Sequence, residues 1–454
     1  MKKHFFGSFG LTFLSSGFFF GFNFFLAKYL GATLYGQISY YLSFIQIVAL
    51  LISFNYAALY MGNKITKEDK NTFSLFITIE SLMFLIVAIP AFFIIQKYIK
   101  SNEITLLILF IAYFLTLVSV VGLEFNSKNQ VSKSIFYSAF VPRLLLIIMF
   151  LVALWFGLAT PKSYLYLYLL SFGFVAGYFL FYFHPKFYIK KEIFKRIWKF
   201  YLLGIIGSSF SYIAQIFQKE YGSYKELASL SIALLFIAGL SLVGTVLIKL
   251  ALPKLHEFWK KRDIANISIL YATHTFLSSI INLPILIFLI FLIDLISKFM
   301  GSGYSNLPVV FYILSVGYIF DLLTGITGTI LRVTENEHIE IYNEIFRFSM
   351  GVGLLFILKN QECGVAYAIS ASMVIYNIVK FLQVYRLFKI KPLTLKYFNY
   401  LISFLIGLIS VFYAINLFVN SIILKIVLFM LVMLIFYSLS YKLSKKILDF
   451  SVYK

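Results

Sequence analysis

FGSFGLTFLSSGFFFGFNFFLA, residues 6–27, carries no charged side chain over 22 residues. At 1.5 Å of rise per residue, a helix of that length reaches about 33 Å and crosses a hydrocarbon core about 30 Å thick. The stretch follows Met1-Lys2-Lys3-His4, an opening like that of a signal peptide. The apolar run continues to about Ala27 with no small-residue cleavage site, so it reads as an uncleaved first membrane span. Lys28 closes it and KYLGATLYG leads into a second run, residues 37–60.

Working outward, the same pattern recurs at 73–96, 104–123, 135–157, 163–183, 200–218, 227–248, 264–293, 308–331, 341–358, 364–383, 398–418 and 421–441. With the first two, this makes fourteen apolar runs, and the chain reads as an all-α integral membrane protein. The run at 200–218 is the weakest, diluted by Ser208, Ser209, Ser211, Gln215 and Gln218. Composition agrees, with 61% hydrophobic, 20% aromatic and 13% charged residues and a mean hydropathy of +0.92. Soluble domains carry nearly twice that charge.

The formal net charge of +21 does not describe a nucleic-acid-binding surface, because the basic residues sit in short clusters between apolar runs. It is a topology signal. With the N-terminus in the cytoplasm, 27 of the 39 Lys and Arg residues fall in cytoplasmic loops, 8 in outer loops and 4 within spans. That asymmetry is the positive-inside rule, and it requires an even number of crossings with both termini cytoplasmic. The expected location is a bacterial inner membrane. Cys363 is the single cysteine, which rules out an internal disulfide and leaves no cysteine-based metal or redox chemistry; no metal or other cofactor is expected.

The longest cytoplasmic connection, HPKFYIKKEIFKRIWK at 184–199, falls after the sixth run and reads as a basic linker or as a helix lying on anionic lipid. The expected division is a six-helix bundle at 1–183, this linker, a second six-helix bundle at 200–397, and two additional helices with a tail at 398–454. Lys28-Tyr29-Leu30-Gly31 and Lys219-Glu220-Tyr221-Gly222 occupy equivalent places in the two halves, a faint sign of duplication.

Ionisable groups inside a bilayer cost about 2.5–3.5 kcal/mol on insertion scales, so they face a cavity or a partner. Arg143, after Pro142 in the fifth run, lies too deep to snorkel easily and is a candidate for an anionic substrate. Asp321 near the middle of the tenth run, Glu80 in the third and His274 in the ninth are candidates for ion coupling. Each has a plainer alternative as a hydrogen-bonded packing residue. Glu344 and Arg347, three apart on one helix face, form a local ion pair that could also meet substrate. Lys380 and Lys425 lie near span ends and are read as snorkelling. Lys64 and Lys249 close the second and eighth runs on the cytoplasmic side, where an entering phosphate would first meet cations. Pro90, Pro142 and Pro284 interrupt helical runs and suggest helices that bend. No catalytic constellation or glycine-rich phosphate loop appears, and no outer loop is long enough to build an enzyme site.

Tyr29-Leu30-Gly31-Ala32-Thr33-Leu34-Tyr35-Gly36 resembles the LGxxxYG signature of the polysaccharide flippases often called Wzx, within the group that also holds lipid II flippases and MATE drug exporters. Pro253 with PKLHEFWKKRD, and Gly364-Val365-Ala366-Tyr367-Ala368-Ile369-Ser370, are similar to two further family stretches. Where the family often has an Asp in span seven this chain has Gln215, and Asn55-Tyr56 stands where span two often has Gly. The resemblance implies two six-helix bundles around a central cavity, with two more helices packed at the side. It implies transport, not an enzyme. The cargo would be a polyprenyl-diphosphate-linked oligosaccharide for surface polysaccharide, such as lipopolysaccharide or capsule, flipped to the outer leaflet by alternating access. Membrane lipid and a polysaccharide polymerase are the implied partners, and Arg143, Lys64 and Lys249 resemble basic sites of the family cavity. Three alternatives stay open: a lipid II flippase, a MATE-like exporter of small cations, and a membrane enzyme of glycan assembly.

Overall fold

A computed structural model describes residues 2–53, 71–128, 130–419 and 421–447, and the regular structure among them is helical. The N-terminal elements are α1 (Lys2–Ile52), α2 (Thr72–Ile99), α3 (Asn102–Ser127), α4 (Val131–Trp155), α5 (Pro161–Phe183) and α6 (Lys191–Tyr221). They are followed by α7 (Tyr224–Lys260), α8 (Ile264–Met300), α9 (Leu307–Thr324), α10 (Thr327–Val333), α11 (Glu337–Leu358), α12 (Gly364–Phe388), α13 (Leu395–Phe418) and α14 (Ile422–Ile447). Eleven of the described helices are long and apolar enough to cross a membrane. The first of these, Gly10–Ile52, has 43 residues, long enough for two passes. α6 is not among the eleven.

Three local features add to the sequence reading. The run at 308–331 is not one helix: α9 ends at Thr324, Gly325 takes φ 62° and ψ −140°, and α10 begins at Thr327. The break satisfies itself, since Tyr271 Oη donates to the Thr324 carbonyl at 2.7 Å and Ser279 Oγ to that of Leu322 at 3.3 Å. The basic stretch 184–199 is helical from Lys191 onward, continuous with α6, and 184–190 has no regular structure. Finally, α7 continues as helix beyond the apolar run, through Pro253 and the first part of its charged sequel, to Lys260.

The YLGATLYG stretch has a plain structural cause. Gly31, at φ 77° and ψ 167°, breaks α1 into two arms at a conformation that suits glycine alone. Gly36 lies where a Cβ would strike the Tyr224 carbonyl, so the second arm crosses the start of α7 at backbone contact. Tyr35 is buried between these two glycines. Gly222, which ends α6, stands at the equivalent place in the second half.

Backbone contacts divide the chain into two compact units, Met1–Ser231 and Ile232–Lys454. In the first, the second arm of α1 and α6 pair along their length and antiparallel. Tyr40 Oη donates to Glu220 Oε1 at 2.5 Å, Ser43 Oγ to Gln215 Oε1 at 3.4 Å, and Tyr201 Oη to the Leu51 carbonyl at 3.2 Å. Phe22, Phe150 and Tyr164 pack edge to face in the interior, with centroids 5.8 and 5.9 Å apart.

In the second unit, α9 and α12 meet through small and hydroxylated residues, as membrane helices do when lipid removes the hydrophobic drive. Ser370 Oγ donates to the Ile313 carbonyl at 2.7 Å and accepts from Gly317 N at 3.0 Å, and Gly317 leaves room for that approach. This accounts for Gly364 to Ser370, since Gly364 also starts α12 hard against the Leu358 backbone. α13 and α14 pack on α8, through Leu408, Phe412, Phe429 and Met433 against Phe288 and Phe291.

Candidate functional site

Arg143 lies in α4 just after a π-helical turn, Phe136–Phe140, and Pro142. That turn adds a residue to the helical repeat and sets the direction of the next side chains. The guanidinium faces the first arm of α1, where it donates to Ser15 Oγ at 3.5 Å and sits 4.7 Å over the Phe19 ring. Tyr164 and Tyr168 approach it from α5, with Tyr35 beside Tyr164 and Tyr212 beside Tyr168.

Among the described residues of this unit, no carboxylate pairs with Arg143. Glu103 is held by Lys162 at 2.7 Å, Glu124 by Lys128 at 2.9 Å and Glu220 by Lys219 at 2.9 Å. Glu226 accepts from Ser223 N at 3.1 Å and Gln218 Nε2 at 3.2 Å, and Glu80 is buried beside Tyr113. A half-buried guanidinium with five donors that, among the described residues, makes one long hydrogen bond and meets no carboxylate is suited to receive an anion.

The second unit holds a network of charges. Glu340, Glu344 and Arg347 share one face of α11, and Tyr376 and Lys380 one face of α12, by their four- and three-residue spacings. Lys380 Nζ donates to Glu340 Oε1 at 3.3 Å and to Tyr376 Oη at 3.0 Å, and Tyr376 Oη donates to Glu344 Oε1. Arg347 pairs with Glu344 at 2.9 Å, and both cations lie over the Tyr376 ring, at 4.2 Å for Lys380 and 4.9 Å for Arg347. Asp321, three residues before the end of α9, faces Lys380, Asn377 and Arg347. Gly328 of α10 makes room for the pair, because a Cβ there would meet both Glu340 and Lys380.

The network brings together two of the residues singled out in the sequence, Asp321 and Arg347, and forms the expected pair of Arg347 with Glu344. It also corrects one reading. Lys380 does not snorkel; it is 8% exposed and turned inward to Glu340. Glu340, Tyr376 and Asn377 were not singled out. The available signal was the spacing of Glu340, Glu344 and Arg347, together with a lysine four residues after a tyrosine.

The remaining candidates stand apart. His274 is buried in α8 at 2% exposure, and neither ring nitrogen has a hydrogen-bond partner among the described residues. One and two turns along, Ser278 and Asn282 lie on the same side, with Asn282 Nδ2 donating to the Ser278 carbonyl at 3.0 Å. Glu80 is fully buried in α2. Lys64 lies outside the described residues, and Lys249 is in α7 with its side chain outside them. Among the described residues, no group of three His, Cys, Asp or Glu side chains could hold a metal ion.

No protein-family model matches the chain, and no curated protein matches it. Solved structures do. It is similar to the lipid II flippase MurJ in an inward closed conformation, at 18% identity over 95% of this chain and 98% of that one, with a TM-score of 0.70. It is similar also to an inward-facing multidrug resistance MATE family transporter of the MOP superfamily, at 15% identity over 82% and 94% of the two chains, with a TM-score of 0.64. A third, at 14% identity over 86% and 96% with a TM-score of 0.58, is a MOP superfamily transporter from Pyrococcus furiosus whose binding pocket is described as reversed in polarity. The chain is thus a multi-pass helical membrane protein by the length and composition of its helices. More narrowly, its fold is similar to those of the solved MOP superfamily transporters and of the lipid II flippase.

Proposed function

We propose that the chain is a flippase that moves a polyprenyl-diphosphate-linked oligosaccharide from the cytoplasmic to the outer leaflet of a bacterial inner membrane, for surface polysaccharide assembly. The observation that carries this reading is Arg143, a half-buried cation for which the described residues of its unit supply no carboxylate. Leaving a charge desolvated and unpaired costs several kcal/mol, which a bound phosphate would offset. The neighbouring Tyr164 and Tyr168 offer rings and hydroxyls of the kind that bind sugars. In this reading Arg143 holds the diphosphate, Lys64, Lys249 and Arg347 are further cationic candidates for substrate, and the hydrocarbon tail stays in the bilayer.

Transport by alternating access assigns the moving parts to 1–183 and 200–397, joined by 184–199, with 398–454 alongside. Asp321 is then the coupling site, with Glu80 and His274 as further candidates, since no nucleotide-binding motif supplies energy. Loss of the protein should strand lipid-linked repeat units on the cytoplasmic face, as read by protection from an added glycosidase in inverted and right-side-out vesicles. Units found on the outer face of a null strain would refute the assignment.

A second reading, a MATE-like exporter of small cations, draws on the excess of acid in the network around Asp321 and on the MATE structures that share the fold. Substitution separates the two. Arg143→Glu abolishes glycan assembly if the cargo is an anion and leaves it intact if the cargo is a cation.

A further inference from the structure

An apolar groove of about 540 Å³ runs along the seam between the first arm of α1 and α4, within the first unit. Phe18, Phe22 and Phe25 of α1 and Ile147 and Leu151 of α4 line it. From Phe13 at one end to Phe25 at the other it follows about 18 Å of helix. We propose that this groove holds the first isoprene units of the lipid cargo while Arg143 beside it holds the diphosphate, the rest of the tail remaining in the bilayer. This deepens the reading of the chain as a flippase of a polyprenyl-diphosphate-linked oligosaccharide and rests on it.

Glycine in a membrane helix usually lets a neighbouring backbone come close. Gly17 and Gly21, one turn apart on this face of α1, do the opposite, since a Cβ on either would meet nothing within 4 Å among the described residues. The space beside them is the bed of the groove. It is open along its side, because Phe13 and Phe18 are more than half exposed. Larger side chains at 17 and 21 would fill it without displacing a contact of the helix.

The groove adjoins the cation. Ile147 and Leu151 stand one and two turns beyond Arg143 on the same side of α4, and Phe18 and Phe22 adjoin Phe19, whose ring lies 4.7 Å from the guanidinium. On either side of that level the two helices are fastened edge to face, Phe18 to Phe140 with centroids 6.4 Å apart and Phe22 to Phe150 at 5.8 Å. Groove and guanidinium are therefore held in one fixed relation.

Depth selects the occupant. Arg143 lies about 18 Å along α4, near the midplane, whereas a resident phospholipid keeps its phosphate at the interface, about 15 Å away. A phosphate at Arg143 therefore belongs to a lipid that is being carried across, and its chain must leave that phosphate over an apolar surface. Lipid is as apolar as the groove, so transfer into it gains little. The groove contributes by confining the first bonds of the chain, which presents the diphosphate to Arg143 in one orientation.

The test uses the full chain in vesicles with two photoreactive lipids. One is a polyprenyl-diphosphate oligosaccharide with a benzophenone near the second isoprene unit, and the other is phosphatidylglycerol with a benzophenone at the same distance from its phosphate. Labelled residues are read by mass spectrometry. The prenyl lipid should label 13–25 and 147–151 at least about tenfold more than phosphatidylglycerol does, and should lose about as much of that labelling in Arg143→Gln. Equal labelling by the two lipids overturns the proposal, as does prenyl labelling that falls on other helices or persists in Arg143→Gln.

Gly17→Leu/Gly21→Leu fills the groove and replaces two poor helix formers, so its melting temperature should hold or rise. It should nevertheless lose the prenyl labelling and translocate about tenfold more slowly. Undiminished translocation by this folded variant overturns the groove and leaves the flippase reading intact. Failure of the unsubstituted chain to move the lipid refutes that reading, and the proposal with it.

Discussion

Arg143 lies roughly 18 Å along α4, where a cation that meets no carboxylate among the described residues is expensive. Its substitution separates charge from packing. Arg143→Lys keeps the charge but loses the planar fork, so translocation should fall at least about tenfold, roughly 1.4 kcal/mol, with normal expression. Arg143→Gln should abolish translocation while the melting temperature holds or rises, because an uncompensated charge has been removed. Gly36 tests packing alone. Gly36→Leu places side-chain atoms against the Tyr224 carbonyl and should cost roughly 1–3 kcal/mol, read as a lower melting temperature in detergent.

At this scale the sequence spoke through isolated charges. Arg143 and Asp321 stand out because nothing polar surrounds them in the chain. Lys380 was misread for the converse reason: it sits close to a span end, and its partner Glu340 is forty residues away on another helix.

Among the elements, the seam between α1 and α6 and the break after α9 are most exposed to test. Ser43 Oγ and Gln215 Oε1 lie 3.4 Å apart across the seam. The double variant Ser43→Cys/Gln215→Cys, in a Cys363→Ser background and bridged by a short reducible bis-thiosulfonate, should arrest translocation and recover on reduction if the seam must open in each cycle. Continued translocation by the cross-linked protein would show that it need not. In the network, Lys380→Met leaves both Asp321 and Glu340 uncompensated and should cost about 3–5 kcal/mol, with part recovered in Lys380→Met/Glu340→Gln.

The start of α8 gives a pH-dependent case. Asp263 accepts from Asn266 N at 3.0 Å, and that backbone bond, with the Asn266 side chain, holds its carboxyl below the usual carboxylate range. A depressed value means stability present at neutral pH and lost as pH falls through and below that range. The melting temperatures of the unsubstituted protein and Asp263→Ala should therefore differ at neutral pH and converge in acid.

The helices were legible because an apolar run of span length has one plausible structure in lipid. The break at Gly325 was not, because it depends on Tyr271, Thr275 and Ser279 arriving from α8 to take the freed carbonyls and fill the space beside the glycine.

For the whole molecule, the alternation of loops read from Lys and Arg agrees with the packing inside each unit. Spans predicted to run in opposite directions pair antiparallel, as the second arm of α1 does with α6 and α11 with α12, and those predicted to run alike, α9 and α12, pair in parallel. The two units are of similar length, and each buries polar side chains, among them Glu80 and Glu124 in the first and His274, Glu340 and Lys380 in the second.

The most direct test reconstitutes the full chain in vesicles with a fluorescent polyprenyl-diphosphate oligosaccharide and measures the fraction made accessible to a membrane-impermeant quencher over time. The unsubstituted chain should move the lipid well above the rate of empty vesicles, and Arg143→Glu should fall to that background while remaining folded. Equal rates for the two proteins, or no movement by either while a small cation is exported instead, would contradict the account.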